Sequence, residues 1–110
     1  MDVIIFVSQL LNGLASIESV RGVTSHAEGP TVRGRANFSE DLFLAFYYNQ
    51  KTGTQAFALV RNDERIWGMD YDNLRGWHEH PIQNPELHVV LEAQTVVSVI
   101  QKLKVALSSL

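Results

Sequence analysis

Between Thr31 and Tyr71 the chain is a succession of strand-length segments joined by connections too short to hold a helix. Thr31 to Phe38 alternates, with Val32, Gly34, Ala36 and Phe38 on one side and Arg33, Arg35 and Asn37 on the other. Leu42 to Tyr48 is apolar and aromatic on both sides, the pattern of a central strand. Asn49 to Gly53 is a hairpin loop with glycine at its end, Thr54 to Arg61 is the returning strand, and Asn62 to Glu64 is a tight turn. Arg65 to Tyr71 then reads as the last strand. Parallel neighbours need a crossover of a dozen or more residues, so these connections admit only antiparallel pairing. A weaker strand, Ile17 to Ser25, precedes a turn at Ala27 to Pro30. The segment as a whole predicts an antiparallel meander of four or five strands.

Helical patterns flank the meander. Val3, Val7, Leu10, Leu14 and Ile17 recur at helical spacing, with Ile4, Phe6 and Leu11 widening the stripe. Asp2 is placed to cap a helix running to about Ser16, with Gly13 as its weak point. So broad an apolar face is suited to burial or to a second copy of the chain in a homodimer. A closing helix is expected from Glu92, with Val96, Val97, Val99, Ile100, Leu103 and Leu107 apolar and Lys102 and Lys104 late, where the helix dipole favours cations. The expected fold class is α+β: a helix, an antiparallel sheet and a helix packed on it, in one domain covering residues 1–110.

Composition narrows the function classes. No cysteine is present, which excludes disulfides, thiolate nucleophiles and cysteine-based zinc or iron–sulfur centres and fits a cytoplasmic protein. A net charge of −3 argues against broad non-specific nucleic-acid binding but leaves room for a local basic site. The apolar N-terminus lacks the basic flank of a signal peptide and is too short and too polar to span a bilayer, so no membrane partner is expected.

Function is expected between Arg65 and His88. Three of the 4 histidines, both tryptophans and two of the 3 prolines fall there, and the part from Asp72 to His88 is expected to be a loop. His78 and His80 are two apart, which on an extended segment puts both rings on one side. His88 follows across Pro81 and Pro85, where the chain can fold back. One reading is acid–base cleavage of RNA, which needs a base for the 2′-hydroxyl proton, an acid for the leaving oxygen and a cation beside the phosphorane. His78 and His80 would be the acid–base pair, supported by His88 and Asp72, with Arg65 or Arg75 as phosphate contact. Arg33 and Arg35 would line an adjoining sheet face and Trp77 or Tyr71 would stack on a base; no cofactor is required. The alternative is a divalent metal held by His78, His80 and His88, in a hydrolase or in a non-enzymatic binding module. Asp70 and Asp72 alternate around Tyr71 and would then orient a histidine ring.

The segments Tyr47 to Gly53, Phe57 to Val60, Arg65 to Asn73, Gly76 to Pro81 and Glu86 to His88, followed by an amphipathic helix, resemble the small TumE-like proteins. These are toxin partners in some toxin–antitoxin pairs. The resemblance covers roughly the last two-thirds of the chain, from about Leu42. It implies a candidate site at Arg65, Asp70 or Asp72, Asn73, His78, His80 and His88. It also implies a ribonuclease-like or otherwise growth-inhibiting activity neutralised by an antitoxin protein. The chain departs from the family pattern in carrying Asp70 to Asn73 where a shorter Asp-Asn is usual, and in its N-terminal helix and acidic balance.

Overall fold

A computed structural model describes residues 1–110. Helix α1 (Val3–Ala15) is followed by strands β1 (Gly22–Glu28), β2 (Thr31–Asn37), β3 (Leu42–Asn49), β4 (Gln55–Arg61), β5 (Glu64–Asp72), β6 (Gly76–His80) and β7 (Val89–Val90), and then by helix α2 (Val96–Ser108). The seven strands form one antiparallel sheet in sequence order, so every strand pairs only with its chain neighbours. The α+β class and the meander are as the sequence predicts; the strand number is larger. Of the two extra strands, β6 lies inside the expected loop from Asp72 to His88 and β7 directly follows it. Asp72 is the reason: its Oδ1 accepts from the N–H groups of Leu74 and Arg75 at 2.9 and 2.8 Å, closing a tight turn that returns the chain onto β5. The first strand also lies later than Ile17 to Ser25. Two short turns carry the chain from α1 to Gly22, and the hairpin closes at Gly29, whose φ of 57° suits glycine.

At the tight turn between β4 and β5, Asn62 and Asp63 both have positive φ, 51° and 65°. Asparagine and aspartate tolerate this conformation best among side-chain-bearing residues, and it matches the twist of a two-residue hairpin.

Both helices pack on one face of the sheet. That face carries Val32, Ala36, Leu44, Phe46, Tyr48, Phe57, Leu59, Trp67 and Met69, all buried. Helix α1 starts at Asp2, whose Oδ1 accepts from Ile5 N–H at 2.8 Å, and buries Phe6, Leu10 and Leu14, one line of its broad stripe. Phe6 stacks on Tyr48 with ring centroids 4.6 Å apart. Ile4, Ile5 and Leu11 remain exposed. Helix α2 begins at Val96 rather than Glu92, because Thr95 and Ser98 form a reciprocal capping box there. It buries Val96, Val99, Ile100, Leu103 and Ala106. Neither helix is long and apolar enough to cross a membrane.

Candidate functional site

The opposite face of the sheet carries no helix. Strand register assigns its residues: Arg33 pairs Tyr47, Tyr47 pairs Ala56, Ala56 pairs Asp70 and Asp70 pairs His78 in one cross-strand row. The adjacent row runs Arg35, Ala45, Ala58, Gly68 and His80. Small residues thus floor the middle of this face, between two arginines on β2 and two histidines on β6. Arg33 and Arg35 are exposed, and the guanidinium of Arg35 lies 4.2 Å from the Phe43 ring centroid.

His78 and His80 are on this face because β6 is extended, as their spacing predicts, but they are not in a hydrated loop. They retain 4% and 1% of their exposure. The segment from Pro81 to His88 returns over them, bringing the Pro85 carbonyl to 3.1 Å from His80 Nδ1. His88, itself exposed, stacks on His78 at 5.3 Å between centroids and meets His80 edge-on at 4.5 Å. One ring nitrogen from each of the three lies within 4.8 Å of the others.

Asp70 organises the cluster. Its Oδ2 is 3.0 Å from His80 Nε2 and 3.4 Å from His78 Nε2. The second nitrogen of His78, Nδ1, is buried without a hydrogen-bond partner. Arg65 Nη2 donates to Pro85 O at 3.2 Å and lies 3.4 Å from His80 Nδ1. A β-bulge brings Arg65 here: the register shifts between Leu59 and Val60, so that Leu59 faces Trp67 but Val60 faces Arg65. Regular alternation would have put Arg65 on the helix face with Trp67. Gly68 completes the arrangement, since a Cβ there would sit 3.4 Å from Arg65 Cδ and 3.6 Å from His80 Cδ2.

Partial desolvation holds the imidazole of His88 below the ordinary histidine range, aided by the neighbouring His80, His78, Arg75 and Arg65. Its neutral form is therefore the favoured one at neutral pH, the form that accepts a proton or a metal.

Other candidates lie elsewhere. Asp72 is committed to the β5–β6 turn, where its Oδ2 also accepts from Arg75 Nε at 3.0 Å; the place beside the histidines belongs to Asp70. Arg75 is on that turn and exposed. Trp77 is buried, pairs with Tyr71 across the strands and packs against its ring at 5.5 Å between centroids, so its ring is not free to stack on a base. Asn73 joins two turns, donating from Nδ2 to Thr52 O at 3.0 Å. Glu79, between the two histidines, points to the helix face, accepting from Trp67 Nε1 at 2.9 Å and facing Lys102 Nζ at 3.8 Å. Tyr47, which sequence reasoning assigns to the core, and Gly68, which it reads as a place of close backbone approach, both belong to this face.

The comparisons name no relative: no protein-family model, curated protein or solved structure matches the chain.

Proposed function

We propose that the chain is an RNA-directed, growth-inhibiting toxin that binds single-stranded RNA across the open sheet face and cleaves it at the histidine cluster. The observation that carries this reading is the sharing of one helix-free sheet face by two groups of opposite use, the histidine end of it covered by the segment from Pro81 to His88. Arg33 and Arg35 offer phosphate contacts at one end, with Tyr47 beside them as a stacking surface. Asp70 lies three interstrand spacings away, about 14 Å, and His78 and His80 lie four spacings away, about 19 Å. Small side chains between them let a nucleic-acid chain approach the sheet closely. The local arrangement also answers the acidic balance of the whole chain, because the cations that matter are collected on one side.

The reaction supported is transesterification at a 2′-hydroxyl. His88 is the exposed ring and is held neutral, so it is the group placed to take the hydroxyl proton. His80 is the neighbouring ring, and because it is buried and fixed between Asp70 and the Pro85 carbonyl, protonating the leaving oxygen from it requires the segment from Pro81 to His88 to open. Arg65 adds positive charge beside them, where the phosphorane would form. His78 packs against the His80 and His88 rings, at 5.2 and 5.3 Å between ring centroids. The resemblance to TumE-like toxins agrees with this reading and implies an antitoxin partner.

The test is expression in growing cells with total RNA examined in the same cultures. Growth arrest with RNA decay is expected for the wild type and is expected to disappear in His88→Ala and in Arg33→Ala/Arg35→Ala. Arrest and decay that persist in both variants would remove the assignment.

A non-enzymatic interaction module is the second reading. The exposed apolar side chains of Ile4, Ile5 and Leu11 on the outer surface of α1 favour it. Light scattering showing a strict monomer at high concentration would remove its dimeric form.

A further inference from the structure

We infer that His78, His80 and His88, with Asp70 as fourth donor, form a binding site for one divalent transition-metal ion of the zinc class. The inference concerns the same side chains as the RNA reading but rests on donor geometry alone.

His80 sits between two acceptors. Its two nitrogens face two oxygens, Pro85 O at 3.1 Å and Asp70 Oδ2 at 3.0 Å. A neutral imidazole has one N–H. With Nδ1 turned to the Pro85 carbonyl, Nε2 is the nitrogen that would face a cation shared with Asp70 Oδ2. A ligating histidine commonly has this form: one nitrogen donating to a backbone carbonyl, the other free for a metal. His78 directs its Nε2 at the same oxygen from 3.4 Å. Two imidazole nitrogens therefore face one carboxylate oxygen.

The spacing suits a small cation. Tetrahedral donors at zinc–ligand distances of about 2.05 Å are about 3.3 Å apart. The Asp70 contacts of 3.0 and 3.4 Å bracket that value. The three histidine donors, within 4.8 Å of one another, close to it through small ring rotations, and His88, exposed at the mouth, has the freedom to move. Nitrogen donors in the majority select zinc, cobalt, nickel or copper over magnesium or calcium. With a cation seated, His88 and His80 are both ligands, so the metal site is an alternative to their metal-free base and acid roles.

The experiment uses the full chain without a histidine tag, stripped with chelator and titrated with zinc(II) by calorimetry and with cobalt(II) by visible absorption. One ion per chain at micromolar or tighter affinity is expected, with the intense d–d bands of a tetrahedral cobalt site. His88→Ala, on an exposed ring, and Asp70→Asn should each weaken binding by about tenfold or more. His26→Ala, remote on β1, should leave it unchanged. No binding by a folded chain, or binding of equal strength in the His88 and Asp70 variants, would overturn the inference. RNA cleavage undiminished in chelator, from a chain that binds no metal, would sink the metal centre and keep the RNA reading. Stoichiometric binding without RNA cleavage would do the reverse.

Discussion

Gly13 of α1 lies so close to Ile100 of α2 that a methyl group on it would sit 2.6 Å from Ile100 Cγ1. The residue that looks like the weak point of a helix is where the second helix seats. Alanine in place of a helical glycine normally stabilises by about 1 kcal/mol. Here overpacking, at about 1–3 kcal/mol, opposes that gain and exceeds it. Urea unfolding of Gly13→Ala is expected to give a lower midpoint than wild type. A higher midpoint would mean that the helices separate at little cost.

Asp70 and Asp72 make opposite predictions although they are neighbours of like chemistry. Asp70→Asn removes the carboxylate shared by two imidazoles and should lower RNA cleavage about 10- to 100-fold with little change in folding. Asp72→Asn should leave cleavage per folded molecule intact, because its contacts are all with the turn. Steady-state rates on an RNA oligonucleotide, normalised to folded protein, separate the two.

Acid should reveal Asp72 differently. The backbone N–H of Arg75 first, then that of Leu74 and the Arg75 side chain, hold its carboxyl below the usual carboxylate range. A carboxylate so depressed stabilises the fold fully above its unfolded-state value, and the contribution fades as pH falls through the lowered one. The melting temperature of wild type should therefore exceed that of Asp72→Asn at neutral pH, and the gap should close below about pH 4, the ordinary aspartate range. A gap that persisted into strong acid would deny the carboxylate its role in the turn.

Glu79 tests the division of labour between the two sheet faces. Glu79→Ala leaves the indole N–H of buried Trp67 without its acceptor and should cost about 1–3 kcal/mol. Metal binding and cleavage by the folded fraction should survive, since Glu79 points away from the histidines. Loss of metal binding in a folded Glu79 variant would contradict that separation.

Thr95→Ala removes the side chain that accepts from Ser98 N–H at the start of α2 and should cost about 1 kcal/mol, measurable by chemical denaturation.

The meander was legible because its turn residues and its period-two alternation agree; Arg33 and Val32 fall on the sides that the sequence assigns them. The last hairpin was not. Proline and asparagine after His80 suggested a loop, and the decisive contact, Asp72 with two backbone N–H groups, leaves no periodic trace. The shared side of His78 and His80 followed from spacing, whereas their burial depends on the return of Pro85 and His88. Parity alone cannot tell Asp70 from Asp72; only strand register puts Asp70 opposite His78. Arg65 defeats parity altogether, because the bulge next to Val60 reverses the side on which it emerges.

The sequence-order sheet has a kinetic corollary. Each strand finds its partner across one short connection, so the loop-closure entropy opposing each pairing is small and the sheet assembles from local steps. The contact of α1 with α2, by contrast, joins the two ends of the chain and closes the longest loop in the fold. The histidine cluster, drawn wholly from β5, β6 and the segment leading into β7, belongs to the local part. A chain whose helices have not yet docked would already hold its chemical groups within a single hairpin and its overhang, so site assembly and global locking are separable events in time.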